Sequence, residues 1–340
     1  MKYNMKNLLL LFASLLLVSC STGVSEKSVS GEALGTTYRL VYFSEDEFPV
    51  EEGLDSIFEV INRSMSTYRN DSDISRINRG EPDVVVDSMF REVFLLSQQV
   101  NKESEGYFDP TVGDLVNMYG FGPEKPLVII DSSTVDFLMA FVGFDKIKVF
   151  PDGSVRKESP QVYLDFNAIA KGFSVDVIGK YLESRGVDHY LIELGGELLA
   201  KGENLSREAP WTVGIDDPQQ EEGTRVLKAV IALKDRGMAT SGNYRKFRTD
   251  SLTGRKFVHT INPKTGYPEE SELLSATVLA ESCALADAYA TAFLAMGFHN
   301  TKALLNKLHH VDAYLVISDP NGSITDYTTS GFMEVVIEEY

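Results

Sequence analysis

The chain has 340 residues, of which 43% are hydrophobic, so it is long enough to fold around one large core or two closely packed ones. Its formal net charge at pH 7 is -18. A surface this acidic repels phosphate backbones and anionic headgroups, which excludes a nucleic-acid-binding protein and electrostatic attachment to a membrane surface.

The first 19 residues have the composition of an export signal. Two lysines precede an apolar run from Leu8 to Val18, which is too short to span a bilayer as a mature helix. Residues 17–20, Leu-Val-Ser-Cys, resemble a bacterial lipobox, so cleavage is expected to leave Cys20 as an acylated first residue. We therefore predict a lipid-anchored, periplasm-facing protein of the cell envelope, with the inner membrane favoured and the outer membrane as the alternative.

Residues 20–30 are rich in serine and poor in large apolar side chains, and they predict a flexible tether. The folded part is then expected over 31–340, as one domain or two intimately packed subdomains. Of the two cysteines, acylation of Cys20 would leave only Cys283 as a thiol, so no intramolecular disulfide is expected. Stability must come from the core.

Periodicity predicts strands and helices in mixed order. Residues 35–43 alternate like a strand, and residues 51–65 and 87–104 have helical spacing. The remaining predictions are a helix over 168–185 and strands over 162–166, 190–194, 211–215, 226–233, 274–279 and 313–317. Several strands follow one another without intervening helices, which favours an α+β fold with mixed, largely antiparallel sheets over a doubly wound parallel sheet.

Four familiar motifs are missing from the sequence: G-x-G-x-x-G, G-x-x-x-x-G-K-[ST], H-E-x-x-H and C-x-x-C. A dinucleotide site of the Rossmann type, a P-loop and the common zinc sites are therefore unsupported. Any site in this chain therefore uses a different geometry from these four motifs.

Segment 106–123 places Asp109 before Pro110, which predicts a helix N-cap followed by proline at the first helical position. The N-terminus of that helix could face an anion. The neighbouring Tyr107 and Phe108 fit either a core or a stacking surface for a flat ring.

Segment 164–176 places Asp165 at the end of a predicted strand, Ala168 in the turn and Lys171 just inside a helix. Backbone N–H groups at the helix start and the lysine charge together can bind a phosphate. The alternative is a solvated lysine near a helix start.

His259 precedes a turn rich in proline and glycine, whose backbone can approach a ligand closely. Because histidine titrates near neutrality, it can take a proton from a hydroxyl nucleophile. The alternative for a lone histidine is a structural hydrogen bond.

The run from Ala284 to Gly297 is apolar except for Asp287 and a few hydroxyl groups. Its composition predicts a helix that ends at Gly297, and Asp287 and Thr291 then share one face. A buried carboxylate beside a hydroxyl suits a hard cation such as Mg²⁺. The alternative is an aspartate bonded to a helix N-terminus or an arginine.

Together these segments resemble the ApbE family of FAD:protein FMN transferases. The resemblance extends from about Gly31 to about Gly331 and rests on GTTYR, MSTYRNDSDISRIN, GYFDPTVG, DFNAIAKGFSVD, ELGGELLAKG, ATSGNYRKF, HTINPKTGYP and ADAYATAFLAMG, in family order. It implies a T-fold-like α+β architecture and an enzyme that cleaves FAD with Mg²⁺, joins FMN to a threonine or serine of another protein and releases AMP.

The resemblance also implies roles for individual residues. The Mg²⁺ ligands would be Asp287, Thr291 and the backbone carbonyl of Ala168, and His259 would activate the acceptor hydroxyl. The contacts to FAD would come from Leu34, Tyr68, Tyr107, Phe108, Asp109, Asp165, Lys171, Thr260 and Ile261.

Two departures from the family pattern stand near these residues. Many members carry glycines before the I-A-K-G run, where this chain has Phe166 and Asn167, and the methionine of the first motif is Leu34 here. Neither change removes a ligand, but both could alter flavin packing.

The resemblance further implies acceptors that are flavin-carrying subunits of membrane redox complexes, such as sodium-pumping quinone reductases or Rnf-type complexes. Two alternative functions are an FAD pyrophosphatase that yields FMN and AMP, and a lipoprotein that binds flavin without catalysis.

Overall fold

A computed structural model describes residues 23–127, 130–220, 223–242, 247–249, 256–269, 271–319 and 321–340. The predicted signal peptide and Cys20 lie outside the described residues. Among the helices that are described, none combines the length and the hydropathy needed to cross a membrane.

Helices and strands alternate irregularly along the chain. The helices are α1 (Val50–Met65), α2 (Asp73–Asn78), α3 (Ser88–Glu103), α4 (Gly113–Tyr119), α5 (Ser132–Met139), α6 (Ala170–Ser184), α7 (Cys283–Leu305) and α8 (Ser330–Met333). The strands are β1 (Ser25–Ala33), β2 (Thr36–Ser44), β3 (Ile147–Val149), β4 (Val155–Lys157), β5 (Tyr190–Leu194), β6 (Glu197–Lys201), β7 (Trp211–Asp216), β8 (Leu227–Leu233), β9 (Arg236–Gly242), β10 (Phe247–Thr249), β11 (Lys256–Val258), β12 (Leu273–Ala280), β13 (Asp312–Ser318), β14 (Ile324–Thr328) and β15 (Val336–Glu339).

An eight-stranded sheet in the order β1-β2-β5-β6-β9-β12-β13-β14 organises the molecule, and each neighbouring pair is antiparallel. A second antiparallel sheet has the order β15-β8-β7. Helices pack beside these sheets and are not inserted between successive parallel strands. The α+β prediction is confirmed.

The inner strand β12, between β9 and β13, is covered on both faces. Ala276 and Val278 belong to the main core cluster, which also contains most of the buried side chains of α7. Leu279 packs instead with Trp211 and Ile231 of the smaller sheet. Burial on two faces explains why the strand sequence LLSATVLA is almost continuously apolar, with its two hydroxyl residues as the exceptions.

Helices α6 and α7 approach each other very closely. A Cβ atom added to Gly172 would lie 2.3 Å from the carbonyl oxygen of Cys283. The carboxylate of Asp176 on α6 accepts the backbone N–H groups of Cys283 and Ala284, each at 2.8 Å. One helix thus caps the other, which fixes the start of α7 relative to α6.

The predicted end of α7 is a break within the helix. Gly297 has φ 69° and ψ 171°, and helical structure resumes beyond it as far as Leu305. The glycine interrupts the helix because its backbone adopts a conformation that other residues rarely adopt.

The tether predicted over residues 20–30 is too long. Residues from Ser25 onward lie in β1, which pairs with β2 from Ser25 opposite Ser44 to Ala33 opposite Thr36. The strand can be rich in serine because it lies at the edge of the sheet, where backbone hydrogen bonds to β2 hold it in place. Of its side chains, Val29 and Ala33 pack against a core cluster.

The strand predicted over 162–166 is also wrong. Val162, Leu164 and Phe166 are buried in alternation as a strand would bury them, but the pairing that the segment forms with other described residues is a single isolated bridge, between Tyr163 and Val112. The side chain of Asn78 bonds both the N–H and the carbonyl of Leu164 at 2.8 Å, so a side chain replaces the neighbouring strand.

Candidate active site

The site begins at the N-terminus of α6. Ala168 lies in the turn that precedes the helix and packs, half-buried, against the main core cluster. The N–H of Gly172, in the first turn of α6, donates to Oδ2 of Asp287 at 3.1 Å. Asp287 on α7 is therefore held at the helix start that carries Lys171, although more than a hundred residues separate them in sequence.

Asp287 is a buried charge, with 4% of its surface exposed. Burial raises the pKa of Asp287, while the charge of Lys171 and the Gly172 N–H act to lower it. Burial acts to lower the pKa of Lys171, but the charges of Asp287 and Glu197 outweigh it and the pKa is raised. The site thus places two buried carboxylates beside a half-buried ammonium group.

Glu197 is a member of this group that the sequence analysis did not identify. It follows the Gly195–Gly196 turn, where φ is 64° and 106°, and it is the first residue of β6. Its Oε1 atom forms an ion pair with Nζ of Lys171. Its Oε2 atom is buried and has no hydrogen-bond partner among the described residues. The ELGGELLAKG motif and its paired glycines were the available signal.

Thr291 lies one turn after Asp287, and its Oγ1 is 3.3 Å from Oγ of Ser241 near the end of β9. Ser241 is a second residue that the sequence analysis did not single out. Because both α7 side chains emerge on one face, the helix presents a carboxylate and a hydroxyl to the same region.

These oxygen donors fit a hard divalent cation. A carboxylate, a hydroxyl and a backbone carbonyl, from Asp287, Thr291 and Ala168, are the ligand types that Mg²⁺ binds. Within the described residues, the ion-pair partner of Lys171 is Glu197, which leaves Asp287 with a backbone N–H donor. No group of three or more His, Cys, Asp or Glu side chains in the described ranges is arranged to hold a metal. The candidate ligands for Mg²⁺ are instead one carboxylate, one hydroxyl and one backbone carbonyl.

Asp165 and Tyr68 form a second part of the site. Asp165 accepts the backbone N–H of Asn167 at 2.7 Å and its side-chain amide at 3.0 Å. Burial raises the pKa of Asp165 to about 6, against the lowering effect of these two hydrogen bonds. Partial burial and the charge of Asp165 raise the pKa of Tyr68. The residue Tyr68 is 64% exposed, so its ring offers a surface for a flat ligand.

The prediction that Asp109 caps a helix is wrong. Helix α4 begins at Gly113, and Oδ1 of Asp109 instead accepts hydrogen bonds from the backbone N–H and the side-chain hydroxyl of Thr111, at 2.8 and 2.6 Å. Its other oxygen accepts the N–H of Phe144 at 3.1 Å. The Asp109 carboxylate is hydrogen-bonded within a local turn, to the residue two positions later in the chain. Such a turn competes with capping of a helix.

The two aromatic residues before Asp109 have different surroundings. Phe108 is 2% exposed and belongs to the main core cluster, so only its backbone can face a ligand. Tyr107 is half-buried, and Nζ of Lys264 lies 5.5 Å from its ring centroid. Of this pair, Tyr107 retains an accessible ring.

Leu34 and the two departures from the family pattern occupy defined places. Leu34 and Gly35, with φ 50° and 74°, form the tight turn between β1 and β2, and the Leu34 side chain packs between two core clusters. Phe166 points into the core, with its ring centroid 5.1 Å from that of Phe90. Asn167 is exposed and bonds Asp165. The ring of Phe166 is therefore buried in the core and does not occupy space beside the ligands.

His259 directly follows β11, and its ring centroid lies 6.3 Å from that of Phe121 in an edge-on arrangement. The next two residues are buried: Thr260 accepts the N–H of Glu269 at 2.9 Å through its carbonyl, and Ile261 packs in a cluster with residues of α4 and α5. The histidine is thus carried on an anchored segment, which is what a positioned proton acceptor needs.

The chain matches the family model described as ApbE family over residues 34–315. The FAD:protein FMN transferase of Haemophilus influenzae is 35% identical over 337 residues, which cover 96% of this chain and 96% of that protein. Two solved structures also align along most of the chain. The flavin transferase ApbE from Vibrio cholerae has a TM-score of 0.81 and 32% identity, and covers 92% of this chain and 100% of its own. The apo flavinyl transferase ApbE of Pseudomonas stutzeri has a TM-score of 0.81 and 29% identity, and covers 93% and 98%.

The match covers most of the positions assigned to the site, from Leu34 to Thr291, and the structural likeness covers the same sheets and helices. The resemblance inferred from the motifs is confirmed. On its sequence, its fold and the arrangement of residues around α6 and α7, this chain belongs to the ApbE family.

Proposed function

We propose that this chain transfers FMN from FAD to a serine or threonine hydroxyl of an acceptor protein, in a Mg²⁺-dependent reaction that forms a phosphoester and releases AMP. Flavin transfer is supported by a relative named FAD:protein FMN transferase that is 35% identical over nearly the whole chain. The observation that carries the proposal is the buried Asp287, bonded to the start of α6 next to Lys171. An anionic diphosphate fits a helix N-terminus that also carries a lysine.

Asp287, Thr291 and the carbonyl of Ala168 would hold Mg²⁺. When bound, the ion neutralises charge on the diphosphate and on the departing AMP. Lys171 and the backbone N–H groups at the α6 start bind phosphate oxygens, and the buried surroundings strengthen these contacts.

The remaining site residues bind the rings and the acceptor. Tyr68 and Tyr107 stack on flat rings, and His259 takes the proton of the acceptor hydroxyl as its oxygen bonds to the FMN phosphorus. The bond from that phosphorus to the bridging oxygen breaks, and AMP leaves with that oxygen. The other contacts to FAD are assigned to Leu34, Phe108, Asp109, Asp165, Thr260 and Ile261.

The proposed acceptors are flavin-carrying subunits of membrane redox complexes, such as sodium-pumping quinone reductases or Rnf-type complexes. A lipid on Cys20 would hold the enzyme on the periplasmic side of the envelope, with the inner membrane favoured. The support is the lipobox at residues 17–20 together with the family resemblance. Since β1 begins at Ser25, the tether would be short, and it would keep the enzyme concentrated near membrane-bound acceptors.

The test combines the purified chain, FAD, Mg²⁺ and a candidate acceptor subunit. We expect a fluorescent acceptor band on a denaturing gel and an equal amount of AMP by chromatography. Free FMN with AMP and no labelled acceptor would show a hydrolase instead, and unchanged FAD that co-purifies with the protein would show a binding protein.

Asp287→Ala is expected to abolish Mg²⁺-dependent turnover, because it removes the charged metal ligand, while the circular dichroism spectrum is retained. The matched control is Asp152→Ala, which changes an exposed aspartate in the turn between β3 and β4. If Asp287→Ala keeps wild-type turnover, the metal assignment is wrong.

A further inference from the structure

Lys171 has two acidic neighbours but a close contact with only one. Its charge interacts with both Asp287 and Glu197. Within the described residues, its ion pair is with Oε1 of Glu197, whereas Asp287 is bonded to the N–H of Gly172. The lysine therefore lies between a carboxylate that it contacts and a carboxylate that the proposed function assigns to the metal.

Glu197 is a buried carboxylate whose hydrogen bonds are incomplete among the described residues. It is 3% exposed, burial raises its pKa, and its Oε2 atom has no hydrogen-bond partner among the described residues. Desolvating the carboxylate offsets much of its attraction to Lys171, so an ion pair with one buried, unsatisfied oxygen is weak evidence for a role in stability. A role in the site accounts better for its position.

The alternative partner for Lys171 would be Asp287. If Glu197 were neutral, the ammonium would be attracted to the one remaining buried carboxylate nearby, and a salt bridge there would occupy the oxygens that bind the cation. Metal ligands depend on such neighbouring groups for their orientation and charge.

We infer that Glu197 is a positioning residue, which holds the Lys171 ammonium away from Asp287 and so keeps Asp287 open to Mg²⁺ and Lys171 directed at the diphosphate. This inference rests on the proposed function, because it takes Asp287 as the metal ligand. Glu197, in the β5–β6 hairpin, would thus keep metal binding at Asp287 separate from diphosphate binding at Lys171.

The test measures Mg²⁺ binding by titration calorimetry without FAD, so that no turnover is involved. Glu197→Gln keeps the size of the side chain and removes its charge, and we expect it to weaken Mg²⁺ binding by about ten- to a hundredfold. Lys171→Met removes the competing ammonium and should leave Mg²⁺ binding as tight as in the wild type or tighter.

The decisive comparison is the double variant. If Glu197 acts through Lys171, then Glu197→Gln in the Lys171→Met background should not weaken Mg²⁺ binding further. Equal weakening in both backgrounds would mean that Glu197 acts on the cation directly, and no weakening in either would mean that it does not act on the site; both results overturn the inference. A wild-type chain that binds no Mg²⁺ would overturn the metal assignment of the proposed function as well, so the two failures are distinguishable.

Two further measurements exclude a folding defect. Circular dichroism and the thermal midpoint should be nearly unchanged in Glu197→Gln. The conservative Glu197→Asp variant keeps the charge and should restore at least half of the lost Mg²⁺ affinity. If Glu197→Gln alone does not fold, the double variant Glu197→Gln/Lys171→Met, which leaves no unpaired ammonium, is compared with Lys171→Met, and weaker Mg²⁺ binding in the double variant would overturn the inference.

Discussion

Burial raises the pKa of Asp165 above that of an aspartate in an unfolded chain. Its folded-state pKa is raised to about 6, whereas an unfolded aspartate titrates near 4. A group whose pKa is raised in the folded state contributes stability that is present below the unfolded pKa and is lost as pH rises through the folded pKa. The relevant window is therefore from about pH 4 to above pH 6.

The variant Asp165→Asn tests this directly. Asparagine does not titrate, so the stability of the wild type relative to the variant should fall by as much as about 3 kcal/mol between pH 4 and pH 7, which corresponds to about two pKa units. Urea unfolding of the Mg²⁺-free proteins at several pH values measures the difference. Asparagine cannot accept both hydrogen bonds of Asn167, which adds an offset independent of pH. A constant difference across the window would contradict the raised pKa.

His259 is expected to affect the rate and not the binding of FAD. Because it is assigned to proton transfer, His259→Ala should lower kcat by about 10²- to 10⁴-fold, with FAD affinity from fluorescence quenching little changed. The control is His309→Ala, an exposed histidine in the turn after α7. An equal loss of kcat in both variants, or a loss of FAD binding that accounts for the rate, would argue against a proton acceptor.

At the scale of elements, the crossing of α6 and α7 determines the geometry of the site. Gly172 brings the two backbones together, and its own N–H bonds Asp287. Alanine favours a helix over glycine by about 1 kcal/mol, but its Cβ at this position meets a backbone carbonyl that cannot rotate away. The steric effect should dominate.

Gly172→Ala is therefore expected to destabilise the protein by about 1–3 kcal/mol and to weaken Mg²⁺ binding, because the helices must separate. Gly53→Ala in α1 is the matched control, since the added Cβ there meets the far end of the Tyr181 side chain, which can move. Denaturant unfolding and Mg²⁺ titration of both variants measure the effects. A stable Gly172→Ala variant with intact Mg²⁺ affinity would show that the close approach is not required.

At the scale of the whole molecule, the proposed ion links elements that are far apart in sequence. Mg²⁺ held by Ala168, Asp287 and Thr291 would connect the turn before α6 to α7, which packs on the central strands of the large sheet. A ligand that binds only the folded state raises its stability by mass action, by about 2.7 kcal/mol at a hundred times its Kd.

The thermal midpoint of the wild type should accordingly rise as Mg²⁺ is added, and the midpoint of Asp287→Ala should not. Scanning calorimetry over a Mg²⁺ series, with Ca²⁺ and Na⁺ at matched ionic strength, measures this. Equal shifts in both proteins would indicate binding elsewhere on the acidic surface.

Much of the fold could be predicted from local patterns. The helices over 51–65 and 87–104 and the strand over 190–194 follow from spacing among residues within a few positions, whereas the helix end predicted at Gly297 is an interruption within α7. The edge strand β1 was missed because its pairing with β2, and not its composition, makes it a strand.

The sequence by itself determined the family, the α+β class and the placement of Asp287 and Thr291 on one helix face, because these properties depend on motif order and helical period. Only the tertiary structure decided that Gly172 contacts Asp287 and that Glu197 contacts Lys171. Such contacts join segments far apart in the chain, and they are selected by the packing of α6, α7 and β6, which no local pattern encodes.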